Sequence, residues 1–244
     1  MKTEILYGIH PVGEALRAGR RRIHELFVNP GRPPRRLEGI TASAASMAVP
    51  VREIPSDRLT SLAGSEFHQG VAARVDPYPS AELESVLTRT EPFLLMLDGI
   101  VDPNNLGALV RTALCAGVDG VILPRDRSAS PLPSVSKASA GALEHMALVR
   151  ITNLARTIKI LKREGLWIAG LDPAAEKSVF ESDLKGPLAV IVGGEEKGIR
   201  PLVKQGCDFL MRIPQAGPLD SLNASAAGAV VMYEAYRQRR PVSA

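Results

Sequence analysis

Aromatic residues and cysteines are scarce in this sequence of 244 residues. Phe, Trp and Tyr together make up 4% of the chain, so recognition of nucleic acid by stacking bases on an aromatic sheet is poorly supported. The two cysteines, Cys115 and Cys207, form no CxxC pair, and the four histidines show no ligand spacing. The sequence therefore predicts no metal site, and Cys115 is expected to be a small buried residue.

Long apolar runs are also missing. No segment approaches the ~18 consecutive apolar residues that a membrane span needs, and the first ten residues, MKTEILYGIH, contain no apolar signal core. We therefore expect a soluble, cytoplasmic protein that does not contact a membrane. Hydrophobic residues make up 45% of the chain, which is enough for a sizeable core in one large domain or two smaller ones.

Positive charge is modest overall and concentrated near one end. The net charge is +4, and the segment from Gly13 to Arg36 contains seven arginines and two glutamates. This arginine run is either an ordinary solvated surface or a patch that binds phosphate groups, whose oxygens match the fork of the guanidinium.

The composition divides the chain into two parts. Residues 1–76 predict a small α/β domain, residues 77–90 with their prolines and small polar residues predict a linker, and residues 91–244 predict a second domain. The elements expected in the first domain are a helix near Pro11–Ala18, a strand HELFVN, a helix around Arg35–Met47 and strands in VPVREI and FHQGVAARV.

The second part predicts a mostly parallel sheet covered by helices. Near-continuous apolar strands such as EPFLLMLDGI and PLAVIVGGE alternate with helical segments, as expected when both faces of a sheet are buried. Asp102 is placed to cap a helix that has Pro103 at its first position. Ligands bind outside the carboxyl ends of such strands, so the loops DPNN, GGEEKG and PQAGPLDSLN are the candidate site.

Arg111 is the one charged residue between Asp102 and Asp119. Its neighbours at helical spacing are Asn104, Gly107, Ala108 and Cys115, which are small or amide residues rather than charged ones. This pattern predicts an arginine that is shielded from water and paired with a carboxylate or a phosphate. The alternative is a structural ion pair that fixes the helix.

The two other loops have features that suit ligand binding. Gly193 and Gly194 allow a backbone to approach a ligand closely, and Glu195 follows them, although a turn with solvated glutamates is the alternative. The loop is neither a GxGxxG fingerprint nor a P-loop. Ser221 and Asn223 open a helix of small residues, which could pack within the chain or against a second subunit. Ser221 is either a site residue or a helix cap.

Three of these segments resemble a known family. DPNNLGALVRTA, GGEEKGI and IPQAGPLDSLNASAA are similar, in the same order, to the three motifs of the SpoU branch of the SPOUT methyltransferases, and the likeness spans residues 91–240. YGIHPVGEAL and HQGVAARV resemble the small ribosomal-protein-like RNA-binding domain of that family. SKASAGALEH, between the motifs, is similar to the bacterial subgroup that methylates guanosine 2'-hydroxyls of 23S rRNA.

The resemblance implies a parallel sheet with a deep trefoil knot that binds S-adenosylmethionine, and a homodimer in which each active site is completed by the other subunit. By motif position, the implied catalytic residues are Asn105, Arg111, Glu195, Ser221 and Asn223. The implied cofactor-binding residues are Gly193, Gly194, Ile213 and Leu222. The residues expected to contact RNA are Arg20, Arg21, Arg22, Arg35 and Arg36. At Gly194 the family more often has a small polar residue.

The implied reaction is in-line transfer of a methyl group to a ribose 2'-hydroxyl of 23S rRNA. We expect Arg111 to hold the adjacent phosphate and polarise the hydroxyl, because a guanidinium stays protonated and is a poor base. Glu195 is expected to orient Arg111, and the other polar residues to position ribose and cofactor. The rival interpretations are a tRNA ribose methyltransferase and a noncatalytic RNA-binding or ribosome-assembly factor. A nicotinamide dehydrogenase is disfavoured by the missing fingerprint.

Overall fold

The computed structural model describes residues 2–30, 35–218 and 221–239, and the side chains of Arg35 and Arg36 lie outside this description. The chain divides into two compact units. The first contains Met1–Pro79 and Pro131–His145, and the second contains Ser80–Ser130 and Met146–Ala244.

Strands and helices alternate along the chain. The strands are β1 (Glu4–Tyr7), β2 (Ile23–Val28), β3 (Val51–Glu53), β4 (Val71–Val75), β5 (Phe93–Asp98), β6 (Gly120–Pro124), β7 (Leu148–Ile151), β8 (Trp167–Leu171), β9 (Leu188–Gly193) and β10 (Phe209–Met211). The helices are α1 (Ile9–Ala18), α2 (Arg35–Ser46), α3 (Ser56–Ala63), α4 (Pro103–Cys115), α5 (Pro133–Ala138), α6 (Leu154–Arg163), α7 (Pro201–Gly206) and α8 (Ala224–Arg239).

The first unit is the small α/β domain that the sequence predicts. Its described residues form a four-stranded sheet in the order β1-β4-β2-β3, with β4 antiparallel to β1 and β2 and with β3 parallel to β2. Helices α1 and α2 cover one face, and α3 packs on the other through Leu59. The sequence patterns did not indicate β1 or α3. Strand β1 has only four residues and α3 buries a single leucine, so neither shows a clear hydrophobic periodicity.

The segment Pro131–His145 belongs to the first unit, although the sequence division assigns it to the second domain. Its anchor is Glu144, whose carboxylate accepts hydrogen bonds from Arg21 Nε and Nη2 at 2.7 and 2.6 Å and from Ser136 Oγ at 2.6 Å. Glu144 and Arg21 are 1% and 5% exposed. The sequence did not indicate this packing, because Arg21 and Glu144 are 123 residues apart.

The second unit confirms the predicted parallel sheet. Among its described residues there is one six-stranded sheet in the order β10-β8-β9-β5-β6-β7, and every pairing is parallel. β5 is buried along its whole length, which accounts for its continuous apolar sequence. Helices α6 and α7 pack on one face. On the other, α8 packs against α4 and β9.

The packing of α8 on α4 requires a glycine. A Cβ on Gly228 would lie 2.3 Å from Leu109 Cδ2, so a larger residue would displace this buried leucine side chain. The close packing that the small residues of α8 predict is therefore internal at this position. Within the described residues, none of the helices has the length and apolar character that crossing a membrane requires.

Candidate active site

The carboxyl ends of β5 and β9 bring two of the predicted loops together. The two strands are paired, with Asp98 opposite Gly193 in the parallel register. After β5 the chain enters α4, and the Asp102 carboxylate accepts hydrogen bonds from backbone N–H groups of the first helical turn. The predicted cap is confirmed, and it fixes the start of the helix that contains Asn105.

Three residues from the three sequence motifs form one hydrogen-bonded cluster. Asn105 Nδ2 donates to Glu195 Oε1 at 2.9 Å, and Asn223 Nδ2 donates to the same oxygen at 2.5 Å. Asn223 Nδ2 also lies 3.0 Å from Asn105 Oδ1. The cluster joins residues separated by up to 118 positions in the sequence. A carboxylate that receives two amide donors is held in one orientation, with its charge partly stabilised.

The start of α8 sets the position of Asn223 in this cluster. Its Oδ1 accepts hydrogen bonds from the backbone N–H of Ser225 at 2.9 Å and of Ala226 at 3.4 Å, so Asn223 caps the helix. The alternative in which Ser221 is only a helix cap is therefore wrong, since α8 begins three residues later. Asn104 hydrogen-bonds to Asp102 instead of joining the cluster, so the structure brings Asn105 rather than Asn104 to Glu195.

Asp98 and Arg200 form a supporting pair that the sequence interpretation missed. Asp98 is 1% exposed, and it accepts hydrogen bonds from Arg200 Nε at 2.7 Å and from the Arg200 backbone N–H at 2.8 Å. Its carbonyl accepts from Gly194 N at 2.9 Å. The pair holds the loop after β9 against the end of β5. The available signal was an acidic residue closing the otherwise apolar strand FLLMLD.

The two glycines after β9 serve close packing of the chain against itself. A Cβ on Gly193 would lie 2.1 Å from the carbonyl carbon of Gly198, and one on Gly194 would lie 2.5 Å from the Gly99 carbonyl oxygen. The interpretation that both glycines exist to let a ligand approach is therefore incomplete. Backbone atoms already occupy the space where the side chains would be, so this backbone conformation requires glycine at both positions.

A cleft of about 420 Å³ opens at the ends of β8, β9 and β10, and we call it the Ile213 cleft. The predicted site residues that line it are Gly193, Gly194, Glu195, Ile213, Ser221 and Leu222. Its wall also contains Asp172 and Lys204, which form an ion pair. Burial opposes ionisation of Asp172, but the hydrogen bonds from Lys204 and from the Ala174 N–H outweigh it and lower the pKa of this carboxyl.

A second cleft, of about 370 Å³, lies on the other side of Glu195, and we call it the Asp126 cleft. It is lined by the loops that follow β5, β6 and β9, and it includes Asn105 and Asp126. The segment from Gly194 to Gly198 borders both clefts. Glu195, the acceptor of the hydrogen-bonded cluster, therefore lies on the boundary between the two clefts, with Asn105 on the side of the Asp126 cleft.

Arg111 does not lie where the sequence predicts. It is exposed, and within residues 2–30, 35–218 and 221–239 its side chain forms neither an ion pair nor a hydrogen bond. It lines neither cleft. Neither shielding by the rest of the described chain nor a structural ion pair is found for Arg111, and shielding by a ligand stays a prediction. Cys115, on the same side of α4, is exposed as well, so the prediction that it is buried is also wrong.

The predicted RNA-contacting arginines differ among themselves. Arg21 is buried and bonded to Glu144 and Glu4, so its guanidinium is not available to a phosphate, and we correct that assignment. Arg22 is exposed. Arg20 is partly buried beside Tyr78, to whose hydroxyl it donates a hydrogen bond of 3.2 Å. The predicted contacts by Arg35 and Arg36 fall on side chains outside the described residues.

Comparison with known proteins agrees with the order of these motifs. The model of the SpoU rRNA Methylase family matches residues 92–233, and the model "RNA 2'-O ribose methyltransferase substrate binding" matches residues 5–81. The 23S rRNA (guanosine-2'-O-)-methyltransferase RlmB of Pseudomonas putida is 43% identical over 244 residues, covering 98% of each chain. This chain therefore belongs to the SpoU rRNA methylase family.

Solved structures show the same fold over almost the whole chain. A crystal structure described as an RNA 2'-O ribose methyltransferase superimposes with a TM-score of 0.84 and 26% identity, covering 97% of this chain and 88% of the other. The SpoU methyltransferase AviRb from Streptomyces viridochromogenes, in complex with the cofactor AdoMet, gives a TM-score of 0.83 and 22% identity, covering 97% and 90%.

Proposed function

We propose that this protein transfers a methyl group from S-adenosylmethionine to the ribose 2'-hydroxyl of a guanosine in 23S rRNA. The observation that carries the proposal is the cluster of Asn105, Glu195 and Asn223 on the boundary between two clefts. A transfer reaction needs two ligands that meet at one point, and this arrangement provides it. Family membership and the name of the full-length relative indicate the acceptor and its base.

The Ile213 cleft suits the cofactor. Its volume of about 420 Å³ lies in the range of small-molecule sites, and its wall combines apolar Ile213 and Leu222 with the ion pair of Asp172 and Lys204. An adenosyl group with a charged amino-acid end has matching apolar and polar parts. When bound, S-adenosylmethionine supplies a methyl group on a positively charged sulfur. The residues Gly193, Gly194, Ile213 and Leu222, which line the cleft, would hold it there.

The Asp126 cleft suits the acceptor nucleotide. Asn105 lines this cleft and donates to Glu195, so the amide and the carboxylate orient each other at its border. We assign to Asn105, Glu195 and Asn223 the positioning of the ribose, and to Ser221 a contact on the cofactor side. Alignment of the attacking oxygen with the methyl group and sulfur is the main contribution that such residues make to the rate.

We further propose a homodimer in which Arg111 serves the active site of the other subunit. Within one chain Arg111 lines neither cleft, and six residues separate it from Asn105, which places the two side chains on different faces of α4. The exposed residues Leu114, Cys115 and, on α8, Tyr233 supply apolar area for an interface. In the dimer, Arg111 holds the phosphate beside the reacting ribose and remains protonated, with Glu195 of the facing subunit as its partner.

Mixed dimers test this arrangement. Arg111→Ala and Asn223→Ala chains are each expected to be inactive, but a mixed dimer would contain one intact site. Random pairing makes half of the dimers mixed, so co-expression should restore about a quarter of the wild-type activity. No restoration in dimers that have been shown to form would mean that Arg111 acts within its own chain.

The second unit is proposed to contain the deep trefoil knot of the family. The support is the position of β9 between β8 and β5, together with the return of the last helix, α8, onto α4. The RNA-binding and catalytic domains are assigned to residues 1–76 and 91–244, joined by residues 77–90, with Pro131–His145 packed on the first unit. A 23S rRNA substrate would place the protein in the cytoplasm.

The first unit is proposed to bind the rRNA backbone through exposed arginines. Among the predicted arginines whose side chains are described, Arg22 is the exposed one. Arg20 lies beside it, and Arg35 and Arg36 are retained as candidates from the sequence. Contacts of this kind position an RNA but do not select its sequence.

The experiment that tests the function is transfer of labelled methyl from S-adenosylmethionine to undermethylated 23S rRNA and to bulk tRNA, followed by nucleoside digestion. We expect labelled 2'-O-methylguanosine from 23S rRNA, and none with Asn223→Ala. Label on tRNA alone would establish the rival substrate. No transfer and no cofactor binding would leave the noncatalytic RNA-binding interpretation.

A further inference from the structure

Two adjacent charged residues of the Asp126 cleft, Asp126 and Arg127, have no role in the reaction described above and do not line the Ile213 cleft. Asp126 and Arg127 lie in the loop after β6, which is the neighbour of β5 in the sheet. Both line the cleft beside Asn105 and Glu195. The inference drawn from them rests on the proposed function and concerns how its acceptor base is chosen.

The loop after β6 is fixed on both sides of these two residues. Arg125 N donates to the Ile151 carbonyl at 2.7 Å, and Ala129 N donates to the Ile100 carbonyl at 2.8 Å. Arg127 between these anchors has a φ of 56°, a left-handed conformation that residues with a side chain seldom adopt. Asp126 and Arg127 therefore lie in a short loop whose backbone is fixed by hydrogen bonds on both sides.

The charges of Asp126 and Arg127 are not used by the protein itself. Asp98 binds Arg200, and Glu195 accepts from two amides. Glu196 and Lys197 also line this cleft, but they belong to the segment that borders the Ile213 cleft as well, whereas Asp126 and Arg127 line the Asp126 cleft and not the Ile213 cleft. In the described part of the chain, the side chains of Asp126 and Arg127 have no hydrogen bond or ion pair, and both are exposed. An acceptor group and a forked donor thus lie next to each other in a cleft of about 370 Å³.

We propose that Asp126 and Arg127 recognise the guanine base of the acceptor nucleotide. Guanine is the base that presents two adjacent donors, N1–H and N2–H, on its Watson–Crick edge and two acceptors, O6 and N7, on its Hoogsteen edge. The Asp126 carboxylate, which only accepts, pairs with the two donors, and the Arg127 fork pairs with the two acceptors. Adenine would place its N1 lone pair against the carboxylate and its amino group against one arm of the guanidinium, so the carboxylate contact would be lost and the guanidinium would keep only N7 as an acceptor.

The test uses the full-length protein and a 23S rRNA fragment with either guanosine or inosine at the methylated position. Inosine lacks the N2 amino group and is otherwise the same base. For the wild-type protein we expect kcat/KM to be about ten- to a hundredfold lower with inosine. Asp126→Asn should lower kcat/KM with guanosine and reduce the guanosine-to-inosine ratio to below about threefold.

Two controls separate recognition from folding and from catalysis. Glu164→Gln, which removes another exposed carboxylate of the second unit away from both clefts, should keep the wild-type ratio. Asp126→Asn should also leave the affinity for S-adenosylmethionine and the melting temperature unchanged, because Asp126 is exposed and does not line the Ile213 cleft.

The outcomes distinguish this inference from the proposed function. If the wild-type protein methylates guanosine and inosine equally well, recognition by Asp126 is refuted while the methyltransferase activity stands. An unchanged ratio in Asp126→Asn would refute it in the same way. If the wild-type protein methylates neither RNA, the proposed function fails, and the inference fails with it.

Discussion

The sequence singled out arginines in two places, the arginine run of the first unit and helix α4 of the second unit. In both places the burial of the arginine in the single chain is the opposite of what the sequence suggested. Arg21 lies in a dense positive run that suggested a surface for phosphate, yet it is 5% exposed and bonded to Glu144. Arg111 is isolated among small residues, which suggested shielding, yet it is exposed in the single chain. The number of charged residues near an arginine in the sequence therefore does not predict whether its side chain is buried, because its partners come from distant segments.

The largest effect is expected at Arg111. Arg111→Ala should lower kcat/KM for methyl transfer by about 10³-fold, because a charged, bidentate contact to the reacting nucleotide is lost. Arg111→Lys keeps the charge without the fork and should lose about 10²-fold. The measurement is single-turnover methyl transfer, with cofactor affinity expected to stay unchanged because Arg111 does not line the Ile213 cleft. Arg156→Ala, on an exposed part of α6, is the matched control. Near-full turnover by Arg111→Lys would contradict the role given to the fork.

Replacement of Arg21 tests the other side of the comparison. Arg21→Met should lower the free energy of unfolding by about 3–5 kcal/mol, since it leaves the buried Glu144 carboxylate without its cation. Chemical denaturation with a probe of the first unit measures the change. Arg22→Met, one residue along and exposed, should change the free energy of unfolding by less than about 0.5 kcal/mol. Equal, small losses for both variants would show that the ion pair does not hold the unit together.

Thiol labelling sharpens the question of what covers the exposed side of α4. Cys115 is exposed in the single chain, so a dimer that uses this surface should slow its labelling about tenfold relative to dilute, dissociated protein. Cys207 provides an internal reference, because burial raises its pKa to about 11 and leaves roughly 10⁻³ of it as thiolate at pH 8. A labelling rate of Cys115 that is independent of protein concentration and as fast as that of a free thiol would argue against this interface.

The smallest effect is expected from a single exposed arginine of the first unit. Arg22→Ala should weaken RNA binding only about two- to fourfold and reduce the slope of log affinity against log salt by about 0.7–0.9, as expected for the loss of one phosphate contact. Filter binding at several salt concentrations measures both quantities. Arg163→Ala in the second unit serves as the control, and cofactor affinity should not change. An unaltered salt slope would remove Arg22 from the RNA-binding surface.

Part of the candidate site could be predicted because its positions depend on local features. Asp102 caps α4 and Asn223 caps α8, so each helix start fixes an adjacent polar residue in the correct loop. The strands β5 and β9 were recognisable from continuous apolar runs, and parallel neighbours bring their following loops to one edge of the sheet. The position within the family motif indicated Asn105 as the site residue, whereas helical spacing placed Asn104 beside Arg111.

Other features could not be predicted because they depend on contacts between distant segments. The burial of Arg21 requires Glu144, 123 residues away, and the Asp98–Arg200 pair spans 102 residues. The close approach of Gly193 to Gly198 is a property of a loop folding back on itself. Spacing along one helix or strand contains no information about these partners.

The sequence by itself determined the alternation of strands and helices, the cap of α4 and the family to which the chain belongs, because each depends on neighbouring residues or on the sequence motifs. The tertiary structure alone decided that Asn105, Glu195 and Asn223 share one hydrogen-bonded cluster between two clefts. It also decided which arginine is buried and which is exposed. The physical reason is that hydrogen bonds and ion pairs form between groups a few ångströms apart in space, whatever their distance along the chain.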